Sequence, residues 1–159
     1  MSAQADKVIA AAKAEVGTQE TPINRTKYGK WFGMDGQPWC AMFVSWCLAQ
    51  ANATNLINQS PKGYAGCESF EVWAKAKGLT VPVSMVQPGD ILLFDFSKAG
   101  RAEHTGIALG YNKNTHLIDT VEGNTAGDNA GSQANGDGVY LKHRAPSTVR
   151  YVVRPKWSN

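Results

Sequence analysis

Apolar and polar positions change rhythm about halfway along this chain, from a helical period to alternation. In residues 3–16, Val8, Ile9, Ala12 and Val16 recur at helical spacing, and Gly17 stands where such a helix would stop. Residues 39–52, WCAMFVSWCLAQAN, are apolar almost without interruption as far as Gln50, which predicts a buried helix. Pro38 lies just ahead of it, where a missing N–H does no harm. A third helix is predicted over residues 66–77, GCESFEVWAKAK, with Gly78 ending it. Between the first two, TQETPINRTKYGKWFGMDGQPW is polar, aromatic and rich in turn residues, and predicts a loop with short structure at most.

From the turn signal Gln87-Pro88-Gly89-Asp90 onward the segments are short and rich in β-formers. ILLFDF, HTGIALGY, THLIDTVEG, GVYLKHR and VRYVVRPKW, separated by turn residues, predict an antiparallel sheet. The Asn124–Gly138 stretch is rich in Gly and Asn, nearly devoid of apolar residues, and predicts a mobile loop. Helices first and strands second make an α+β fold, with N-terminal helices packed on a C-terminal antiparallel sheet. At 159 residues the chain suits one domain over 1–159.

Composition narrows the function classes. A net charge of +3 is compatible with approach to an anionic surface. No run of Lys or Arg exceeds two residues, so nucleic acid is not an expected partner. Asp6, Lys7, Lys13 and Glu15 interrupt what would be the apolar core of a signal peptide, and no stretch approaches the ~18 apolar residues of a membrane span. The expectation is a monomer without membrane insertion, made in the cytoplasm. The three cysteines, Cys40, Cys47 and Cys67, include no C-x-x-C pair. An odd number leaves at least one thiol free, which fits a thiol enzyme better than a disulfide scaffold or zinc ribbon.

Cys40 falls at the start of the buried helix, where the helix end stabilises a thiolate and backbone N–H groups could hold an oxyanion. From position alone it is a nucleophile or a small buried hydrophobe. Cys47 lies two turns deeper on nearly the same helix face and reads as core; Cys67 opens another helix with no base near it in sequence. A nucleophilic cysteine needs a base, and the base needs an orienting group. His104 begins a strand beside a polar loop. If Asn112-Lys113-Asn114 is a three-residue hairpin loop, Tyr111 pairs with Thr115 and His104 comes opposite Glu122, roughly 5 Å apart at Cβ. Asn124, two residues on, shares that face. A slip of one residue would turn the whole set away. By the same pairing His116 sits at the turn, and His143, between Lys142 and Arg144, reads as a surface residue. Gln37 is a candidate oxyanion donor or a plain loop residue. Tyr28, Trp31, Phe32 and Trp39 would either line a substrate groove or pack the loop on the core.

QPWCAMFVSW, PGDILLF, EHTGIALG, VEGNT and GDGVYLKHR, in this order, resemble the CHAP domain, the cysteine, histidine-dependent amidohydrolase/peptidase module, and most of all that of bacteriophage endolysins. The resemblance runs from about residue 5 to 157. It implies a papain-like fold with Cys40 as nucleophile, His104 as general base and acid, Glu122 as orienter and Asn124 as an amide beside the site. It also implies peptidoglycan as substrate, cut as an N-acetylmuramoyl-L-alanine amidase or as an endopeptidase, with action at the cell wall after release. Some members carry an Asp-rich calcium loop ahead of the cysteine. GMDGQPWC offers only Asp35, so neither calcium nor another cofactor is expected. The alternatives are a catalytically silent wall-binding module on the same fold and a thiol amidase with a small soluble substrate.

Overall fold

The four residues Ile91–Phe94 are all buried, so the strand they form must be covered on both faces. The computed structural model describes residues 2–128 and 131–158 and shows both covers. The strand is β2, inside a six-stranded antiparallel sheet of order β1-β6-β2-β3-β4-β5. The other strands of the sheet are β1 (Thr80–Val81), β3 (His104–Asn112), β4 (Leu117–Thr125), β5 (Gly138–Arg144) and β6 (Val149–Val153). Ahead of the sheet come α1 (Ala3–Ala14), α2 (Lys27–Phe32), α3 (Cys40–Ala49) and, just before β1, α4 (Cys67–Ala76). This is the α+β, papain-like arrangement expected.

Alternation sorts the strand residues into two layers. Ile91, Leu93, Ile107, Val121, Val139 and Val153 face the helices and join the main core with Val8, Tyr28, Phe43, Leu48 and Phe70. Leu92, Phe94, Ala108, Ile118, Val149 and Val152 form a smaller cluster on the other face, under Val83, Val86 and Phe96. Helix α3 lies against β3 and β4 with eight of its ten residues buried, which is why its sequence carries no polar stripe.

The helix starts and stops have local causes. Ser2 caps α1 by accepting a hydrogen bond from the Ala5 N–H, and Thr26 does the same for α2 through the Gly29 N–H. Gly33, in the left-handed region, closes α2. The Asp35 carboxylate accepts hydrogen bonds from the N–H groups of Thr26 and Gly36, tying this loop together. β1, two residues long and paired only to β6, has too few residues to show a period in the sequence.

The β3–β4 register differs from the expected one in an instructive way. Tyr111 pairs with Ile118, not Thr115, because the turn spans 113–116 and the Asn112 side chain accepts from the N–H groups of Asn114 and Thr115. A displacement of three residues would put Glu122 on the wrong face. A bulge between Ala108 and Gly110 removes one of the three, so Ile107 pairs with Val121, a displacement of two from expectation. The face is restored: Glu122 comes opposite Gly106 and diagonal to His104. Of the loop 124–138, residues 129 and 130 lie outside the described residues. The residues leading into β5 are hydrogen-bonded to the end of β4, with Gly136 N–H donating to Asn124 O and Asp137 N–H to Thr125 O.

The contact between α3 and β4 depends on the missing side chain at Gly123, where a Cβ would lie 2.8 Å from Phe43 Cβ and from Trp39 Cζ3. Gly123→Ala should therefore destabilise the protein by about 1–3 kcal/mol through overpacking. A lowered urea midpoint would show this; an unchanged one would mean that the two layers separate freely.

Candidate active site

Helix α3 begins at Cys40 without a side-chain cap, since its N-cap residue is Trp39. Its first amides are left for the thiol. Trp39 is held by an indole N–H donated to Glu20 Oε1 at 3.0 Å and by stacking on Tyr28 at 5.5 Å between ring centroids.

A second helix start converges on the same point. Ser45 Oγ, on α3, accepts from the Tyr64 N–H and donates to the Tyr64 carbonyl, both at 2.9 Å. Gly63 packs so closely on Ser45 that a Cβ would fall 2.5 Å from Oγ. The Tyr64 hydroxyl lies 2.7 Å from Thr105 Oγ1, which itself donates to Leu92 O. These clamps fix segment 63–66, which leads into α4, on α3 and beside His104. The next residue, Cys67, opens α4 within hydrogen-bonding reach of Cys40.

The imidazole is set from the sheet. His104 and Glu122 are fully buried, with His104 Nε2 2.9 Å from Glu122 Oε1. Gly106 leaves the space for this contact, because a Cβ there would lie 2.5 Å from Glu122 Cγ. Arg144 donates to both carboxylate oxygens, from Nε at 2.9 Å and Nη2 at 2.6 Å, and Thr120 Oγ1 donates to Oε2 at 2.5 Å. The guanidinium lies 4.7 Å from the Phe96 ring centroid and 5.6 Å from that of Phe94, and both rings flank the imidazole at 5.8 Å. With Nε2 taken by Glu122, the otherwise unpartnered Nδ1 is the nitrogen left for Cys40.

The electrostatics follow from these contacts. Cys40 is held well below the usual thiol range, chiefly by the hydrogen bond from Cys67, against the opposing effect of burial, and further by His104 and the Ala41 N–H. Cys67 is pushed well up by the same hydrogen bond and by burial. Burial works to lower His104, but Cys40 and Glu122 outweigh it and raise the imidazole to about 9. Burial works to raise Glu122, but Arg144 and His104 outweigh it and hold the carboxyl at about 2. The arrangement favours a thiolate–imidazolium pair backed by a carboxylate.

Cys40, His104 and Glu122 are therefore brought together. Asn124, in the left-handed region, is buried nearby. Its amide donates to Asn135 Oδ1 at 3.2 Å, its Oδ1 has no partner among the described residues, and it makes no hydrogen bond to the imidazole. Gln37 is exposed and Trp31 half-buried. Tyr28 and Trp39 are fully buried, so they pack the loop onto the core and present no surface to a groove. His116 is exposed at the turn, and His143 pairs with Asp119 at 2.7 Å on the surface. Two contributors went unread in sequence. Arg144 was hidden because the loop before β5 conceals its register against β4. Cys67 was hidden because only the clamps at Ser45 and Thr105 bring it to the site. Among the described residues no cluster of three or more His, Cys, Asp or Glu could hold a metal ion.

A helix-borne thiol facing a strand-borne imidazole–carboxylate pair on an α+β sheet is the architecture of a papain-like cysteine hydrolase. The model of the CHAP domain family matches residues 31–124, and the chain belongs to that family. The solved structure of the Resuscitation Promoting Factor Interacting protein RipA, mutated at a histidine, is similar in fold over 96% of this chain, with a TM-score of 0.56 at 15% identity. The match spans 62% of the length of that structure. No curated protein matches in sequence.

Arg144→Gln leaves the Glu122 carboxylate buried without its main partner and should cost about 3–5 kcal/mol in stability at neutral pH. Glu122 also sets an acid limit. Its carboxyl is depressed when folded, so its contribution is complete above the ordinary carboxylate range and lost as pH falls through about 2. Unfolding midpoints against pH should show this limb in the wild type and its reduction in Glu122→Gln; identical profiles would remove Glu122 as its source.

Proposed function

We propose that this chain is a bacteriolytic peptidoglycan hydrolase that cuts amide bonds of the stem peptide or cross-bridge through Cys40. The observation that carries the reading is the buried chain Arg144–Glu122–His104, whose free imidazole nitrogen faces a thiol at a helix start. Membership of the CHAP family supplies the substrate class, since the family's cysteine- and histidine-dependent amidohydrolases act on peptidoglycan. The net positive charge suits an anionic wall. The likeness of the motifs to phage endolysins adds a role in wall lysis after synthesis in the cytoplasm.

In this mechanism the Cys40 thiolate attacks the scissile carbonyl, and the N–H groups at the start of α3 stabilise the oxyanion. The His104 imidazolium protonates the leaving amine, then takes a proton from the water that releases the acyl-enzyme. Glu122 holds the ring and stabilises its charge, and Arg144 holds Glu122. Asn124 borders the site and offers its unpaired Oδ1. A cleft of about 280 Å3 at the start of α4, lined by Phe32, Gln59, Ser60, Tyr64 and Gly66, is a candidate surface for a peptide strand, with half-buried Trp31 next to Phe32. None of these steps requires a metal ion.

Cys40→Ala and His104→Ala should each lower clearance of isolated cell walls by about 10^4-fold or more while the fold is kept. Equal clearance by wild type and Cys40→Ala would overturn the assignment of the nucleophile, and failure of the wild type on every wall type would overturn the substrate class. New amino termini, identified by residue, separate amidase from endopeptidase. Activity should also fall as pH rises through about 9, where His104 loses the proton that the leaving amine needs. A kcat/KM profile still rising at pH 10 would exclude His104 as the acid.

A further inference from the structure

The segment 63–66 is fastened to α3 through Ser45 and to β3 through Thr105. It leads into Cys67, the first residue of α4, whose thiol hydrogen-bonds with that of Cys40, the first residue of α3. Cys67 is only partly buried and lies next to the cleft at Gly66, whereas Cys47 is fully buried deeper in α3. The hydrolytic mechanism uses one thiol, and the second has no part in it as a nucleophile. We propose that Cys40 and Cys67 form a redox modification site, at which mild oxidation by a peroxide closes a reversible disulfide that masks the nucleophile.

The chemistry is balanced and needs only the peroxide. The Cys40 thiolate attacks one oxygen of hydrogen peroxide, breaking the O–O bond and giving Cys40 sulfenic acid and hydroxide. The Cys67 sulfur then attacks the Cys40 sulfur. The S–O bond breaks, hydroxide leaves, and it is protonated to water by the thiol proton. In sum, two thiols and one peroxide give one disulfide and two waters. The depressed thiol range of Cys40 makes it the first sulfur oxidised, and Cys67 is then the resolving one. Without a partner, Cys40 would continue to the sulfinic and sulfonic acids, which a thiol reductant does not reverse. A pair of this kind keeps the nucleophile recoverable as the protein passes from a reducing cytoplasm to an oxidising wall.

The masking of activity rests on Cys40 being the nucleophile; the disulfide itself does not. The test treats the full chain with about one equivalent of hydrogen peroxide, alkylates free thiols, and reads intact mass, peptide map and wall clearance. The expected wild-type result is a mass lower by two hydrogens, a linked Cys40–Cys67 peptide, and lost clearance that returns with dithiothreitol. Cys67→Ser should instead gain oxygen at Cys40, and under excess peroxide it should stay inactive after dithiothreitol where the wild type recovers. Oxygen at Cys40 beside an alkylated Cys67 in the wild type, or a link through Cys47, would overturn the proposal. A Cys40–Cys67 link with undiminished clearance would uphold the disulfide and overturn the nucleophile assignment instead.

Discussion

A carboxylate with no access to water organises this site. Glu122 receives two hydrogen bonds from Arg144, one from Thr120 and the contact with His104, and it is buried completely. An ionised group in that position is tolerable only with such partners. The partners come from β3, β4 and β5, so the carboxylate fixes the mutual placement of three strands as well as one imidazole. Phe94 and Phe96 close over the guanidinium and the imidazole together, so the charged centre is sealed by the smaller apolar layer of the sheet.

The thiol side is built on a different principle. Helix α3 starts without a side-chain cap, and the amide of Ala41 is directed to the Cys40 sulfur instead. The helix gives up a common source of end stability, and burial against β3 and β4 offsets it. Between about pH 6.5 and 9 Cys40 and His104 oppose each other in their effect on folding. Folding takes up a proton at His104, whose range is raised, and releases one at Cys40, whose range is depressed. The resting charge pair is thus held over a wide pH range with little net change in bound protons.

Most of this was legible in the sequence, and the reasons for the exceptions are physical. The helices and strands appeared because their periods follow burial, and α3 appeared as an unbroken apolar run because it is enclosed. His104 and Glu122 share one face although the turn has four residues where three are expected and the register at Tyr111 is displaced by three. The bulge at Leu109 restored the parity, a correction that no periodicity shows. Arg144 and Cys67 depended on distant pairings: one across a glycine-rich loop, the other through a hydroxyl on α3. Tyr28 and Trp39 were ambiguous because an aromatic residue in a polar loop serves equally as anchor or as lining; burial decided for anchor.

Gly106 gives the site a different kind of dependence. A motif is usually read as a set of groups that are present, yet here a hydrogen atom in place of a methyl group lets the acid of β4 cross the neighbouring strand. Glycine is a poor strand former, so the residue two places from the imidazole weakens the backbone's own preference for the sheet. His104 is consequently kept in position less by the strand it belongs to than by the salt-bridged carboxylate lying across the gap.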